Sequence, residues 1–466
     1  MTGSTPHPNI LLMIPHDLGD FLHCYDHETV RSPNLDAMAA RGVSFRSCFT
    51  TTPECTPSRG AMFTGLSPHQ NGLMGLSNFG WSLKVPHLAA RLRGAGYHTR
   101  QYGVQHETHE PPETLGYDLS VPGGSGEASD VCANVVDFLR SDDAASGEAP
   151  WFLCAGFRHV HRAWKRAERR TPDDVGVPDW LPDHPEVRKD LARFYEDIEA
   201  MDAGVGEVLS ALADTGLDRR TLVIFTTDHG AAFPGAKATL YDPGVRVPLI
   251  LHWPGHVEGG AAYACLLSNM DLTPTLLEVA GAPVPDELAG RSFLPLLRGE
   301  PYIPRDEVAG ALFYDVAYDP MHYVRTATHK YIRSFAVTAA DAAGADREVV
   351  TTFAGGRWVR VDDFDVLTSP SWQALASPTN AARPPAEELY DLRSDPCERD
   401  SLAGDPAAAP ILADMRCRLR TMMEATASPL LDGHVPPPAR QREAVRTHGA
   451  TSPLSHETIA KRKALQ

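Results

Sequence analysis

No stretch of this chain is long and apolar enough to cross a bilayer, and the segment from Met1 to Pro8 is polar, without the basic start of an export signal. The first apolar run, Ile10-Leu11-Leu12-Met13-Ile14, is too short for either role and suits a buried strand. Positive charge is also scarce: 43 Lys and Arg stand against 60 Asp and Glu, a net charge of -17. That balance argues against a general nucleic-acid binder, which needs a basic face. The eight cysteines form no Cys-x-x-Cys pair and no zinc-like spacing, so most read as small buried apolar residues. Their even number leaves disulfides open. Internal repeats are missing too. The expectation is a cytoplasmic globular protein with no nucleic-acid and no membrane partner.

What is there begins with size. The 466 residues, 42% of them hydrophobic and 22% charged, can hold one large α/β unit plus a smaller one. Buried strands are predicted around residues 8–15, 97–102, 151–157, 221–227 and 247–252. Helices are predicted within 29–45 (capped by Ser32 or Asn34 and stopped by Gly42), over 85–96 and over 191–215. Strands alternating with helices imply a mixed, mostly parallel sheet sandwiched by helices. Polar residues gather where those strands end, the usual ligand side of an open α/β sheet. Beyond Pro301, short aromatic alternations between Ala311 and Phe335, the strand Glu388 to Leu392 and a helix over 407–425 suit a smaller C-terminal α+β subdomain. The expected organisation is a catalytic α/β domain over 1–300, the subdomain over 301–430, and an extended or disordered Pro-rich tail over 431–466.

One short run carries more chemistry than any other. Cys55-Thr56-Pro57-Ser58-Arg59, followed by Thr64-Gly65, sets a thiol, a rigid turn, a hydroxyl and a fixed cation side by side. Asp17, Asp228 and His229 stand after two predicted strands, and such a carboxylate-imidazole set suits Mg, Ca or Mn, with zinc also open. Asp-His-Gly after a strand is by itself more often turn chemistry than a ligand. Its weight comes from sharing a chain with Asp17 and the Cys55 run.

The run resembles the signature of type I sulfatases, whose Cys is oxidised to formylglycine. The resemblance extends from Pro8-Asn9-Ile10-Leu11 and His16-Asp17-Leu18-Gly19 through Ser32 to Phe45 and Asp228-His229-Gly230 to the segment from Lys237 to Pro248. It continues more faintly through Glu388-Leu389-Tyr390-Asp391. It implies an alkaline-phosphatase-like fold and the hydrolysis of a sulfate ester or sulfamate. Cys55 would become the formylglycine nucleophile and contact one divalent metal (calcium first, manganese or magnesium otherwise) together with Asp17, Asp228 and His229. Arg59 would hold the hydrate oxygens, and Lys237 would stabilise the sulfate. His161 would protonate the leaving group and His106 would assist the second hydroxyl, work that suits a pKa near neutrality. A plain thiol would strand the sulfuryl group as an S-sulfo adduct, whereas a gem-diol has a second hydroxyl that expels it. The chain would therefore depend on a maturation system that acts on Cys55.

Within the family the chain is most similar to the heparan N-sulfatase (sulfamidase) branch, through His69-Gln70-Asn71-Gly72, His161-Arg162, Pro178 to Pro182 and Asp197 to Gly206. That similarity implies His69 and Arg162 as substrate contacts and a sulfated sugar such as N-sulfoglucosamine as substrate. A homo-oligomer is compatible with it. Two departures stand out. His16 replaces one carboxylate of the family's acidic pair, and Val104 stands where a lysine is common. Arg162, Lys165 and His159 are candidates to supply the missing cation. Two other readings stay open: a phosphonate or phosphate-diester hydrolase of the same superfamily, and a non-catalytic sulfosugar-binding protein on this scaffold.

Overall fold

The run Asn-Ile-Leu-Leu-Met-Ile at β1 (Asn9–Ile14) is buried along its whole length, and its residues alternate between two cores. Leu11 and Met13 face one hydrophobic cluster, while Ile10, Leu12 and Ile14 face another. A strand with apolar residues on both faces needs a covered sheet, because alternate side chains point to opposite sides. In this computed structural model, residues 7–164, 169–315, 318–335, 350–354, 357–361, 363–375 and 385–443 are described.

β1 is central to a nine-stranded sheet. Its other members are β2 (Val43–Phe49), β3 (His98–Gly103), β4 (Leu119–Val121), β5 (Trp151–Gly156), β6 (Thr221–Thr226), β7 (Arg246–His252), β8 (Ala261–Tyr263) and β9 (Leu267–Ser268). The order is β4-β3-β5-β1-β6-β7-β2-β8, with β9 also on β2. Only β7 runs antiparallel to its neighbours, β6 and β2. The sheet is thus mixed and mostly parallel, and helices cover both faces. β3, β5, β1 and β6 all end on the same edge, and the polar residues predicted there follow directly.

α1 (Pro33–Arg41) has Ser32 at its N-cap position, but neither Ser32 nor Asn34 caps it. Asp202, on the long helix Pro185–Asp214, does so from a distance: its carboxylate accepts from Asn34 N at 3.1 Å and Leu35 N at 2.9 Å. That long helix starts six residues before its expected beginning, because Pro185 suits a first turn and His184 Nδ1 accepts from Glu186 N. The helix expected over 85–96 shrinks to Leu88–Gly94, since Pro86 cannot join the ladder and His87 caps the start.

The C-terminal part contains a four-stranded antiparallel sheet in the order β10 (Glu307–Tyr314), β11 (Tyr318–Thr326), β12 (His329–Ser334) and Glu387–Asp391. The helix Ala409–Ala425 packs on it through Leu412, Met415, Leu419 and Met423. A hairpin of Val350–Ala354 and Arg357–Val361 was not expected from the sequence. After Asp432 the chain stays tied to the body as far as residue 443. Tyr314 OH donates to Val435 O, and the buried Gln441 accepts from Trp81 Nε1 at 2.9 Å. The rest of the expected tail, 444–466, lies outside the described residues. None of the eight cysteines is in a disulfide. Among the described residues no helix is long and apolar enough to cross a membrane.

Candidate active site

Cys55 opens α2 (Cys55–Thr64), a helix whose ten residues are all buried. Pro57 is tolerated in its first turn, and Gly65 ends it in the left-handed conformation at φ 70°. The positive end of the helix dipole therefore lies at Cys55 and favours an anion there. Three hydrogen bonds lock the turn. Ser58 Oγ donates to Asp228 O at 2.5 Å, Thr56 Oγ1 to His106 O at 2.7 Å, and Asn269 Nδ2 donates to Ser58 O at 3.0 Å. Ser58 thus joins α2 to the end of β6, and Thr56 joins it to the loop after β3.

Around the thiol the sheet edge gathers its ligands. His229 Nε2 is 3.2 Å from Cys55 Sγ and 3.3 Å from Asp17 Oδ1, and Asp17 Oδ1 is 3.9 Å from Sγ. His229 Nδ1 lies 3.0 Å from Gly230 O. A carbonyl only accepts, so Nδ1 carries the proton and Nε2 presents its lone pair to the cup. Asp17 adopts φ 53°, unusual for a non-glycine residue, and its amide donates to Asp228 Oδ1 at 3.0 Å. Burial alone would raise the Asp228 carboxyl, but the Arg59 guanidinium and the Asp17 amide help to outweigh it and hold it well below the usual range. Arg59 Nε donates to Asp228 Oδ2 at 3.2 Å. The buried Arg59 Nη2 has no hydrogen-bond partner among the described residues.

The donors fit a divalent cation. Ligand atoms of His16, Asp17, Cys55 and Asp228 all lie within 4.8 Å of one another. Both ring nitrogens of His16 are buried without a hydrogen-bond partner among the described residues, although Nδ1 is 3.1 Å from Asp228 Oδ2. Burial first, then Arg59, keeps His16 neutral, with its pKa well below the ordinary value. A buried neutral imidazole with unspent nitrogens beside two carboxylates could serve as a further metal donor.

The proton-handling candidates are close by. The His106 ring stacks edge-on against His16 at 4.5 Å, and burial with Arg59 pushes its pKa down to about 3, so it is neutral. His161 sits at the rim, 22% exposed, with Nε2 3.2 Å from Asp365 Oδ2 and Nδ1 2.5 Å from Arg162 O. Burial opposes its protonation, but Asp365 and Asp17 outweigh that and raise its pKa. Both nitrogens face acceptors, which favours the protonated ring. Lys237 Nζ donates to Asp17 Oδ2 at 2.8 Å and to Asp365 Oδ2 at 2.9 Å, and lies 3.4 Å from Asp363 Oδ2.

Two expected substrate contacts have their polar groups engaged by other parts of the chain. His69 has Nε2 3.1 Å from Thr426 O and sits against the rings of Phe313 and His322, under the C-terminal subdomain. Arg162 gives two parallel bonds to Asp190, at 2.8 and 2.7 Å, donates to Ala232 O, and stacks on Trp164 at 3.8 Å. Its guanidinium is committed to the scaffold, so it does not stand in for the cation missing at Val104. His159 is likewise turned to Glu127, at 3.1 Å. Lys165 lies outside the described residues. Asp363 and Asp365, which confine Lys237 and His161, were not foreseen. They follow the unexpected hairpin, where no periodicity pointed to a strand end.

Comparisons with known proteins agree with this geometry. A family model described as sulfatase matches residues 8–282, and one described as N-sulphoglucosamine sulphohydrolase, C-terminal, matches 233–340. Human N-sulphoglucosamine sulphohydrolase is 31% identical over 482 residues, covering 90% of this chain and 91% of that protein. Human arylsulfatase A is 30% identical, covering 86% and 84% respectively. Among solved structures, a protein captured with its substrate D-glucosamine-2-N,6-O-disulfate superimposes with a TM-score of 0.69 at 19% identity, covering 90% of this chain and 98% of that one. The phosphonate monoester hydrolase of Agrobacterium radiobacter gives a TM-score of 0.68 at 20% identity, covering 90% and 96%. At such identities these structures establish the shared fold alone.

Proposed function

The chain belongs to the sulfatase family, and from that membership we propose that it hydrolyses a sulfate ester or sulfamate on a sulfated sugar such as N-sulfoglucosamine. The observation that carries this reading is the convergence on Cys55 of His229, Asp17, Asp228 and Arg59, all buried at one sheet edge. The sugar is suggested by the similarity to the human sulphohydrolase over nearly its whole length.

In this reading Cys55 is matured to formylglycine by a dedicated system. Asp17, Asp228, His229 and residue 55 hold one divalent ion, calcium before manganese or magnesium, with His16 as a further donor. When bound, the ion supplies Lewis acidity and neutralises sulfuryl oxygens. Arg59, anchored by Asp228, keeps an unspent Nη2 available to hold the hydrate oxygens. Lys237, confined by carboxylates, offers a fixed cation to the sulfuryl group. His161 holds a proton at Nε2 for the leaving nitrogen or oxygen, and Asp365 orients it. The neutral His106 is placed to accept a proton from the second hydroxyl.

A phosphonate or phosphate-diester hydrolase is the second reading. It is favoured by Val104, which leaves one expected cation out of the anion pocket. Turnover of an aryl sulfate, a sulfamate and a phosphonate monoester on one matured preparation decides between them. The sulfatase reading expects the sulfate or sulfamate to be turned over fastest. A preference for the phosphonate of tenfold or more would move the chain to the second reading.

A further inference from the structure

Glu54 immediately precedes the nucleophile position, and it is fully buried. It occupies the N-cap position of α2 but does not cap it, with φ -130° and ψ 141°. Neither of its carboxylate oxygens has a hydrogen-bond partner among the described residues. They face two more carboxylates from separate parts of the chain. Asp315 follows β10, and its carbonyl is held by Gln441 Nε2 at 3.1 Å. Asp363 follows the hairpin and uses Oδ1 to accept from Val366 N at 3.0 Å. Both are only 6% and 6% exposed. One ligand atom from each of the three residues lies within 4.8 Å of the others.

We propose that Glu54, Asp315 and Asp363 form a second divalent-cation site, separate from the cup around Cys55. Burying the Glu54 carboxylate ionised and without a partner costs several kcal/mol, and a cation beside it removes that cost. Lys237 lies 3.4 Å from Asp363 but already serves Asp17 and Asp365. Three carboxylates that each offer one oxygen within 4.8 Å of the others match a hard ion such as calcium, magnesium or manganese, and offer nothing to a soft one. The three anchors are independent: a helix start, a strand end held by the C-terminal tail, and a self-capped turn. The set is therefore pre-formed. A cation there would share Asp363 with Lys237 and so join the two sites through one side chain.

The test counts ions rather than turnover. The full-length chain is stripped with a chelator and titrated calorimetrically with Ca2+ and with Mn2+. The expected result is two equivalents for the unaltered chain and one each for Glu54→Gln and Asp228→Asn, with the double variant binding none. Asp315→Asn serves as the second removal should Glu54→Gln fail to fold, as judged by circular dichroism. Crystals soaked in Mn2+ should show an anomalous peak between the three carboxylates. An ion count unchanged in the folded Glu54→Gln or Asp315→Asn variant, an Asp228→Asn variant that binds no ion, or no peak between the carboxylates would overturn the proposal and leave the cluster held by protons. Loss of the Cys55 cup alone, in Asp228→Asn, leaves this count readable whether or not the sulfatase reading holds.

Discussion

The two halves of the candidate site are built differently. On the side of the large sheet, Asp17, Asp228 and His229 come within three residues of the ends of β1 and β6, and their neighbours in sequence are their neighbours in space. On the C-terminal side, Asp363 caps a four-residue helix and Asp365 lies in its first turn, and they reach the site through contacts with Lys237 and His161. In the proposed reading, the first half supplies metal ligands from the ends of rigid strands, beside the nucleophile at the start of α2. The second confines the Lys237 ammonium and orients His161. On that reading the reaction class rests on the sheet edge and the orientation of the proton donor on the C-terminal side.

Substitutions can break that contrast. Cys55→Ala should lower turnover of an aryl sulfate by at least about 10³-fold with the circular dichroism spectrum unchanged; an active variant would remove residue 55 from the chemistry. Asp365→Asn should lower kcat by roughly 10- to 100-fold, with KM moved far less, because a donor loses its orienting partner. If KM rises alone, Asp365 instead touches substrate. Arg162→Lys should leave kcat within a few fold yet cost roughly 2–3 kcal/mol in urea unfolding, since a buried two-bond pair to Asp190 is lost. Unchanged stability with a large KM effect would restore Arg162 as a substrate contact.

The smallest expected effect concerns pH. Burial lowers the pKa of His87 and His322 to about 3 and of His69 to about 4, against roughly 6.5 for the unfolded chain. Between those values the unfolded state binds more protons. Stability is therefore full above about pH 6.5 and declines as pH falls toward 4. Denaturant midpoints measured across that range should show the decline, and a His322→Gln variant that still folds should show a shallower one.

The sheet edge was legible because each of its chemical residues follows an apolar run that can only be a buried strand. β1, β5 and β6 were located to within a residue or two for that reason. His16 could be flagged only as a departure, because its use depends on the ring of His106 and the charge of Arg59, which no local pattern reveals. His69 and Arg162 were expected as substrate contacts, and their hydrogen bonds go to Thr426 and Asp190. A histidine or arginine near a motif looks the same in sequence whether it faces a ligand or Thr426 and Asp190. Asp363 and Asp365 carry no periodicity at all, and their role arises from Lys237, more than a hundred residues earlier in the chain. The cap of α1 by Asp202 is long-range in the same way.

The central claim is that Cys55 is raw material for the nucleophile at this site and is not itself the reagent. Mass spectrometry of the peptide spanning Cys55, from protein made in cells that mature sulfatases, tests it most directly. The account predicts an aldehyde in place of the thiol, with turnover proportional to the fraction converted. A preparation that is fully active while Cys55 remains quantitatively a thiol would contradict it.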